Sequence, residues 1–237
     1  MEDKRILDVY RKRDEKAGGK ETFFKYKDLA QLYRAHQRYR ATLLLLKSQG
    51  FHPLSPRRIL DVGCGDGNML RQFLQWGANP ENLAGIDLRP EPVDYALSLN
   101  PNLDVRCGSA SELPWPDLSF DLVCQHTVFT SVLDEEIRMQ IATEMKRVLQ
   151  KNGMILWYDF FYDNPFNPDV RGVRKTEIKE LFPDCQYTFS RITLAPPLAR
   201  RLASVSWGLC NFLESLKIFN THYLAAIRCD TTKINNA

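Results

Sequence analysis

Ile59-Leu60-Asp61-Val62-Gly63-Cys64-Gly65-Asp66-Gly67 decides how this chain folds. Arg58 to Val62 reads as a buried strand. The glycines at 63, 65 and 67 then mark a tight turn, because glycine tolerates conformations and close approaches that a Cβ forbids. Asn68 to Trp76 follows with helical spacing. Leu83-Ala84-Gly85-Ile86-Asp87 reads as a second strand ending in an acid.

The alternation continues downstream. A helix is expected from about Glu91 to Leu99, strands over 103–107 and 119–124, a helix over Glu135 to Leu149, and a fifth strand from Met154 to Phe160 behind a turn at Asn152-Gly153. Strand and helix in regular alternation imply an α/β fold, a parallel sheet with helices on both faces. Beyond Phe161 the pattern becomes a short helix at 176–181, a strand at 186–194 and a last strand at 223–227. Pro196 to Phe219 is too long for a hairpin loop and reads as a helical insertion before that last strand. Upstream, Leu29, Leu32, Tyr33 and Leu43 to Leu46 suit one or two amphipathic helices, with Gly18-Gly19 setting off a mobile leader. The expected organisation is one domain, in which residues 1–57 form an N-terminal helical extension.

Composition narrows the class. With 237 residues, 44% hydrophobic and 26% charged, the chain resembles an ordinary globular domain. A net charge of +3 gives little support to a nucleic-acid binder. The longest uncharged stretches, Leu122–Leu133 and Leu202–Leu213, hold 12 residues each. A membrane span needs roughly 20. The first residues lack the apolar centre of a signal peptide. Six cysteines, none in a Cys-x-x-Cys pair, read as reduced thiols, with no metal centre implied and a cytoplasmic location expected.

The glycine spacing points to a nucleoside. A dinucleotide fingerprint places Gly or Ala at 68, where this chain has Asn, and no Gly-Lys-Ser/Thr is present to cradle phosphates. A carboxylate at the end of the second strand can accept both hydroxyls of a ribose, which makes Asp87 the leading candidate. In open parallel sheets ligands bind at the carboxyl ends of the strands, where these residues fall.

The segment 59–67 resembles motif I of class I S-adenosylmethionine-dependent methyltransferases, and Gly85-Ile86-Asp87 their ribose-binding motif. Leu113-Pro114-Trp115-Pro116-Asp117-Leu118-Ser119-Phe120-Asp121-Leu122-Val123 is similar to the fourth-strand motif of the small-molecule type 11 branch. Arg147 to Ile155 resembles the segment before strand five, with Asn-Gly where the family prefers Pro-Gly. The resemblance covers roughly 58–160. It implies a Rossmann-like, seven-stranded, mostly parallel sheet whose last strand is antiparallel. Within a methyltransferase domain of 58–237, residues 58–160 would form the cofactor-binding core and 161–237 the substrate side and sheet completion.

The implied cofactor is S-adenosyl-L-methionine, with S-adenosyl-L-homocysteine as product. Asp61, Gly63, Cys64 and Gly65 would face its methionine part, Asp87 its ribose and Leu88 its adenine. The family's acid after strand three is replaced here by Gly108-Ser109-Ala110, so Ser109 and Ala110 would take the adenine edge. Gln125, together with Tyr26 and Arg34 from the N-terminal helices, completes the expected cofactor contacts.

A hydroxyl or ammonium acceptor must lose a proton, so a histidine or carboxylate near the transferring methyl is expected. His126 follows strand four and His222 begins the last strand; each is either a base or a packed histidine. Asp159 ends strand five as a base, an orienting partner or a cap. Tyr158, Asn164, Asn167 and Arg171 are the candidate substrate contacts, although Asn-Pro is also turn chemistry. Gln125-His126-Thr127-Val128 stands where enzymes acting on DNA adenine or protein glutamine carry Asn/Asp-Pro-Pro-Tyr, which disfavours those targets. The expected reaction is O-methylation of a small molecule, a sugar or secondary metabolite. N-methylation of a small amine, RNA methylation, a non-catalytic cofactor-binding module and a nicotinamide-dependent oxidoreductase are the alternatives.

Overall fold

The computed structural model describes residues 2–16, 28–164 and 167–229. Seven strands form one sheet: β1 Ile59–Val62, β2 Leu83–Asp87, β3 Asp104–Cys107, β4 Phe120–His126, β5 Leu149–Phe160, β6 Cys185–Leu194 and β7 Asn220–Cys229. Their order is β3-β2-β1-β4-β5-β7-β6. β7 runs antiparallel to both its neighbours, and every other recorded pairing is parallel. The helices are α1 Glu2–Lys16, α2 Leu29–Ser48, α3 Asn68–Gln75, α4 Pro90–Leu99, α5 Glu135–Val148, α6 Lys175–Leu181, α7 Pro196–Leu202 and α8 Trp207–Ser215. The expected fold class and the helical insertion before the last strand are both present.

Period-two alternation explains the two main cores. Leu60 and Val62 of β1, with Ile155 and Trp157 of β5, pack on one face against α5 and α6. Ile59, Met154, Leu156 and Tyr158 pack on the other, against α3, α4 and the C-terminal half of α2. A third, smaller cluster joins Ala30 and Tyr33 of α2 to Leu194, Ala199, Ala203 and Cys210. It fixes the insertion beside α2, where the Tyr33 hydroxyl donates to Glu214 at 2.8 Å. Helix starts follow capping chemistry: Asp28 accepts from the Gln31 amide, and Asp134 from those of Glu136 and Ile137. Among the described residues no helix is long and apolar enough to cross a membrane.

Three expectations need correction. Residues 2–16 are not a loose leader but a helix docked on the β4–α5 loop. Glu2, only 8% exposed, accepts from the Leu133 amide at 2.6 Å, while Arg5 donates to the Ser131 carbonyl at 2.6 Å. These long-range contacts leave no mark on helical periodicity. The Gly18-Gly19 break lies outside the described residues. β5 begins at Leu149 rather than Met154, since the register shift against β4 between Phe120 and Leu122 absorbs the Asn152 turn, φ 65°. Finally, Cys185 and Cys229 face each other across β6 and β7 and are disulfide-bonded, whereas Cys64, Cys107, Cys124 and Cys210 are free.

Candidate active site

The glycine turn is built on left-handed backbone. Gly63, Gly65 and Gly67 have φ of 69°, 53° and 72°. A Cβ at Gly63 would fall 2.3 Å from Val128 Cγ2, so the turn and the loop after β4 pack without room for a side chain. Asp87 sits at the end of β2. One of its carboxylate oxygens accepts from the Gly65 amide at 2.8 Å and the other from the Arg89 amide at 3.0 Å. The acid thus ties the first βα turn to the second.

A cavity of about 250 Å³ opens above these strand ends. Its floor is Gly63, Gly65 and Ile86 to Arg89, and Gly108, Ser109 and Ala110 form one wall. His126, Thr127, Val128, Ser131 and Val132 from the β4–α5 loop, with Ile137 and Ile141 of α5, form the opposite wall. Asp3, Ile6 and Tyr10 of α1 also line it. The Arg89 guanidinium lies 4.1 Å from the centre of the Tyr10 ring, which pins α1 across the opening. Sequence reading missed the α1 residues; the only available signal was an apolar Ile6 and Tyr10 four apart on a charged helix.

The cavity suits a nucleoside with an amino-acid tail. It offers a carboxylate for a diol, glycine backbone free of Cβ atoms, and apolar Ile86, Leu88, Val132 and Ile141 for a flat ring. Asp61, Gly63, Gly65, Asp87, Leu88, Ser109, Ala110 and His126 cluster here or directly beneath. The Ser109 hydroxyl is within 2.9 Å of that of Ser111. Cys64 is buried under the turn, where burial pushes its thiol well up, and it does not line the cavity.

His126 occupies the end of the cavity nearest β5. Its Nδ1 lies 3.3 Å from Asp61 Oδ1, and its Nε2 is buried with no partner among the described residues. Asp61 is 2% exposed, and an ionised carboxylate can only accept, so this contact favours the tautomer with its proton on Nδ1. The His126 ring itself lines the cavity beside Thr127 and Val128.

Other expected site residues serve elsewhere. Gln125 is buried, and its Oε1 accepts from the Val128 amide at 3.1 Å, shaping the loop rather than touching the cavity. Asp159 is fully buried and receives the Thr130 amide at 3.2 Å, so it holds the same loop from beneath. Burial raises its carboxyl to about 7. His222 stacks on Tyr158 at 4.7 Å, and its Nδ1 meets the Thr221 hydroxyl at 2.8 Å. Burial, with the charges of Arg34 and Arg38, lowers it to about 3, which makes it a packed neutral ring rather than a proton acceptor. Asn167 accepts from the Asp169 amide, and its own amide donates to the Asn164 carbonyl, which is turn chemistry. Arg171 is ion-paired to Glu177 at 2.7 Å. None of Asn164, Asn167 and Arg171 lines the cavity. Tyr26 lies outside the described residues. Arg34 and Tyr158 line a second cavity, which Asn68, just past the glycine turn, also borders.

Asp159 gives a stability prediction. Its folded carboxyl titrates near 7, against about 4 in an unfolded chain. The native state therefore holds a proton that the unfolded state has released, and stability falls as pH rises from about 4 to 7. Urea unfolding should show Asp159→Asn gaining on the wild type by about 2–3 kcal/mol between pH 5 and 8. His222 is common to both proteins and cancels from the difference.

Comparison with known proteins agrees with the geometry. Residues 60–157 match the methyltransferase domain of the type 11 family. A probable S-adenosylmethionine-dependent methyltransferase of Mycolicibacterium smegmatis is 29% identical over 143 residues, covering 55% of this chain and 51% of that protein. A chicken (Gallus gallus) tRNA N(3)-cytidine methyltransferase is 32% identical over 44% of this chain and 30% of its own length. The chain thus spans about half or less of these curated relatives. The crystal structure of Burkholderia thailandensis 1,6-didemethyltoxoflavin-N1-methyltransferase, with 1,6-didemethyltoxoflavin and S-adenosylhomocysteine bound, superposes with a TM-score of 0.60. It is 16% identical, covers 95% of this chain and 88% of its own, and shares the fold. The motif order, the strand order and the match over 60–157 together identify a class I S-adenosylmethionine-dependent methyltransferase domain of the type 11 family within this chain.

Proposed function

We propose that this protein transfers a methyl group from S-adenosylmethionine to an oxygen of a small-molecule acceptor, a sugar or secondary metabolite, in the cytoplasm. The observation that carries the reading is His126. Its Nδ1 lies against Asp61, its buried Nε2 has no partner among the described residues, and its ring lines a cavity framed by Asp87 and the glycine turn.

S-adenosylmethionine, when bound, supplies a sulfonium methyl that is already electrophilic. The protein's work is to position the acceptor and remove its proton. Asp87 and the backbone at Gly63 and Gly65 hold the nucleoside end. Ser109 and Ala110 flank the base. His126 Nε2 takes the hydroxyl proton while Asp61 stabilises the imidazolium that forms. α1, docked through Glu2 and Arg5, limits water above the cavity.

Nitrogen acceptors fit the same base less well, because a neutral amine attacks before losing its proton. Isothermal titration tests the first half of the reading: the protein should bind both S-adenosylmethionine and S-adenosylhomocysteine. Absence of heat for both ligands, confirmed by equilibrium dialysis, would overturn the proposal.

A further inference from the structure

A second cavity, of about 310 Å³, lies between α2 and the end of β5. Gln31, Arg34, Ala35, Arg38 and Tyr39 line it from successive turns of one α2 face, with Asn68 and Tyr158 opposite. Two arginines enter this small space. Among the described residues neither has a carboxylate within ion-pair distance. Arg34 Nε makes only a long bond, 3.4 Å, to the Ala30 carbonyl. Arg38 Nε is buried with no partner among the described residues. Nearby acids are committed elsewhere: Glu214 to the Tyr33 hydroxyl and Thr193 amide, Asp159 to the Thr130 amide.

Aromatic rings set the Arg38 plane. Its guanidinium lies 5.2 Å from the centre of the Tyr39 ring and 5.3 Å from that of Tyr158. Tyr39 is itself fixed, accepting from Asn68 Nδ2 at 2.6 Å. The Tyr158 hydroxyl is anchored on Thr193 at 2.9 Å. A guanidinium held against ring faces spends none of its N–H donors on them, which suits capture of a planar or tetrahedral oxyanion.

The cavity adjoins the catalytic end of the cofactor site. The Tyr158 ring, which lines this cavity, is 6.0 Å from the His126 ring, which lines the other. We infer that Arg34 and Arg38 form the anion-binding subsite of the methyl acceptor, so that the substrate is a small molecule carrying a carboxylate or phosphate within one ring's length of the methylated oxygen. This rests on the methyl-transfer reading and gives it a substrate class. It also reassigns Arg34, expected from the sequence to close over the cofactor.

Saturation-transfer NMR and calorimetry test the inference with 4-hydroxybenzoate, phenyl phosphate and the neutral 4-hydroxybenzamide. Both anions should bind, the neutral analogue should bind at least tenfold more weakly, and the tighter anion identifies carboxylate or phosphate. Arg38→Met, which keeps the apolar stem over the tyrosines, should weaken anion binding about 10–50-fold while S-adenosylhomocysteine affinity stays within twofold. Arg38→Lys should recover part of the loss. Equal binding of the neutral analogue, or unchanged anion binding in Arg38→Met, overturns the inference. Titrations run with and without S-adenosylhomocysteine, so failure of nucleoside binding and failure of anion binding are read separately.

Discussion

Asp87→Asn is expected to weaken binding of S-adenosylhomocysteine by roughly 100-fold, measured by isothermal titration at fixed salt. Hydrogen bonds from neutral donors to a charged acceptor contribute about 1.5–3 kcal/mol each. A ribose diol donating twice to Asp87 therefore accounts for about 3 kcal/mol or more, and tenfold in affinity is about 1.4 kcal/mol. Asn keeps the shape and one acceptor oxygen but replaces the second acceptor with a donor. The same carboxylate accepts from the amides of Gly65 and Arg89, so its loss also loosens the turn. A structural effect alone would lower the urea midpoint and affinity together. A site effect leaves the midpoint near that of the wild type while affinity falls. Wild-type affinity in Asp87→Asn would remove the acid from the binding site.

The residues that were legible in the sequence share one property: their roles are set by local backbone. Glycines at 63, 65 and 67 announce a left-handed turn, and an acid at a strand end announces a polar rim above a parallel sheet. His126 is the last residue of β4, so the sheet alone delivers it to that rim. Arg34 could be placed on a helix but not toward a cavity, because the direction of its face depends on how α2 seats against Leu194 and α8. The α1 wall was hidden for the opposite reason. Its docking relies on Glu2 and Arg5 reaching backbone atoms at Leu133 and Ser131, and charged residues on an exposed-looking helix carry no periodic signal. Asn164, Asn167 and Arg171 looked like a recognition loop. Polar side chains that satisfy a turn's own backbone cannot be told from ligand contacts by spacing. The Cys185–Cys229 pair required knowing that β6 and β7 are neighbours in one register, a long-range fact.

His126→Ala should lower kcat by about 10²–10⁴-fold, the usual contribution of a positioned general base. Its effect on S-adenosylhomocysteine affinity should be within a few-fold, since the proposed ribose and adenine contacts, Asp87, Ser109 and Ala110, lie elsewhere in the cavity. The reasoning is geometric. With Nδ1 donating to Asp61, the ring's lone pair lies on Nε2, which has no partner among the described residues. Asp61 then acts as a positioning residue, and Asp61→Asn should reproduce much of the kcat loss by favouring the wrong tautomer. A merely structural histidine behaves differently: its removal lowers the urea midpoint, and kcat recovers at a lower assay temperature. Added imidazole separates the two cases, because a small base diffusing into the space left in His126→Ala restores turnover only if proton removal was the missing step. Turnover that is unchanged in His126→Ala, or that imidazole leaves untouched, would mean that the proton leaves by another route.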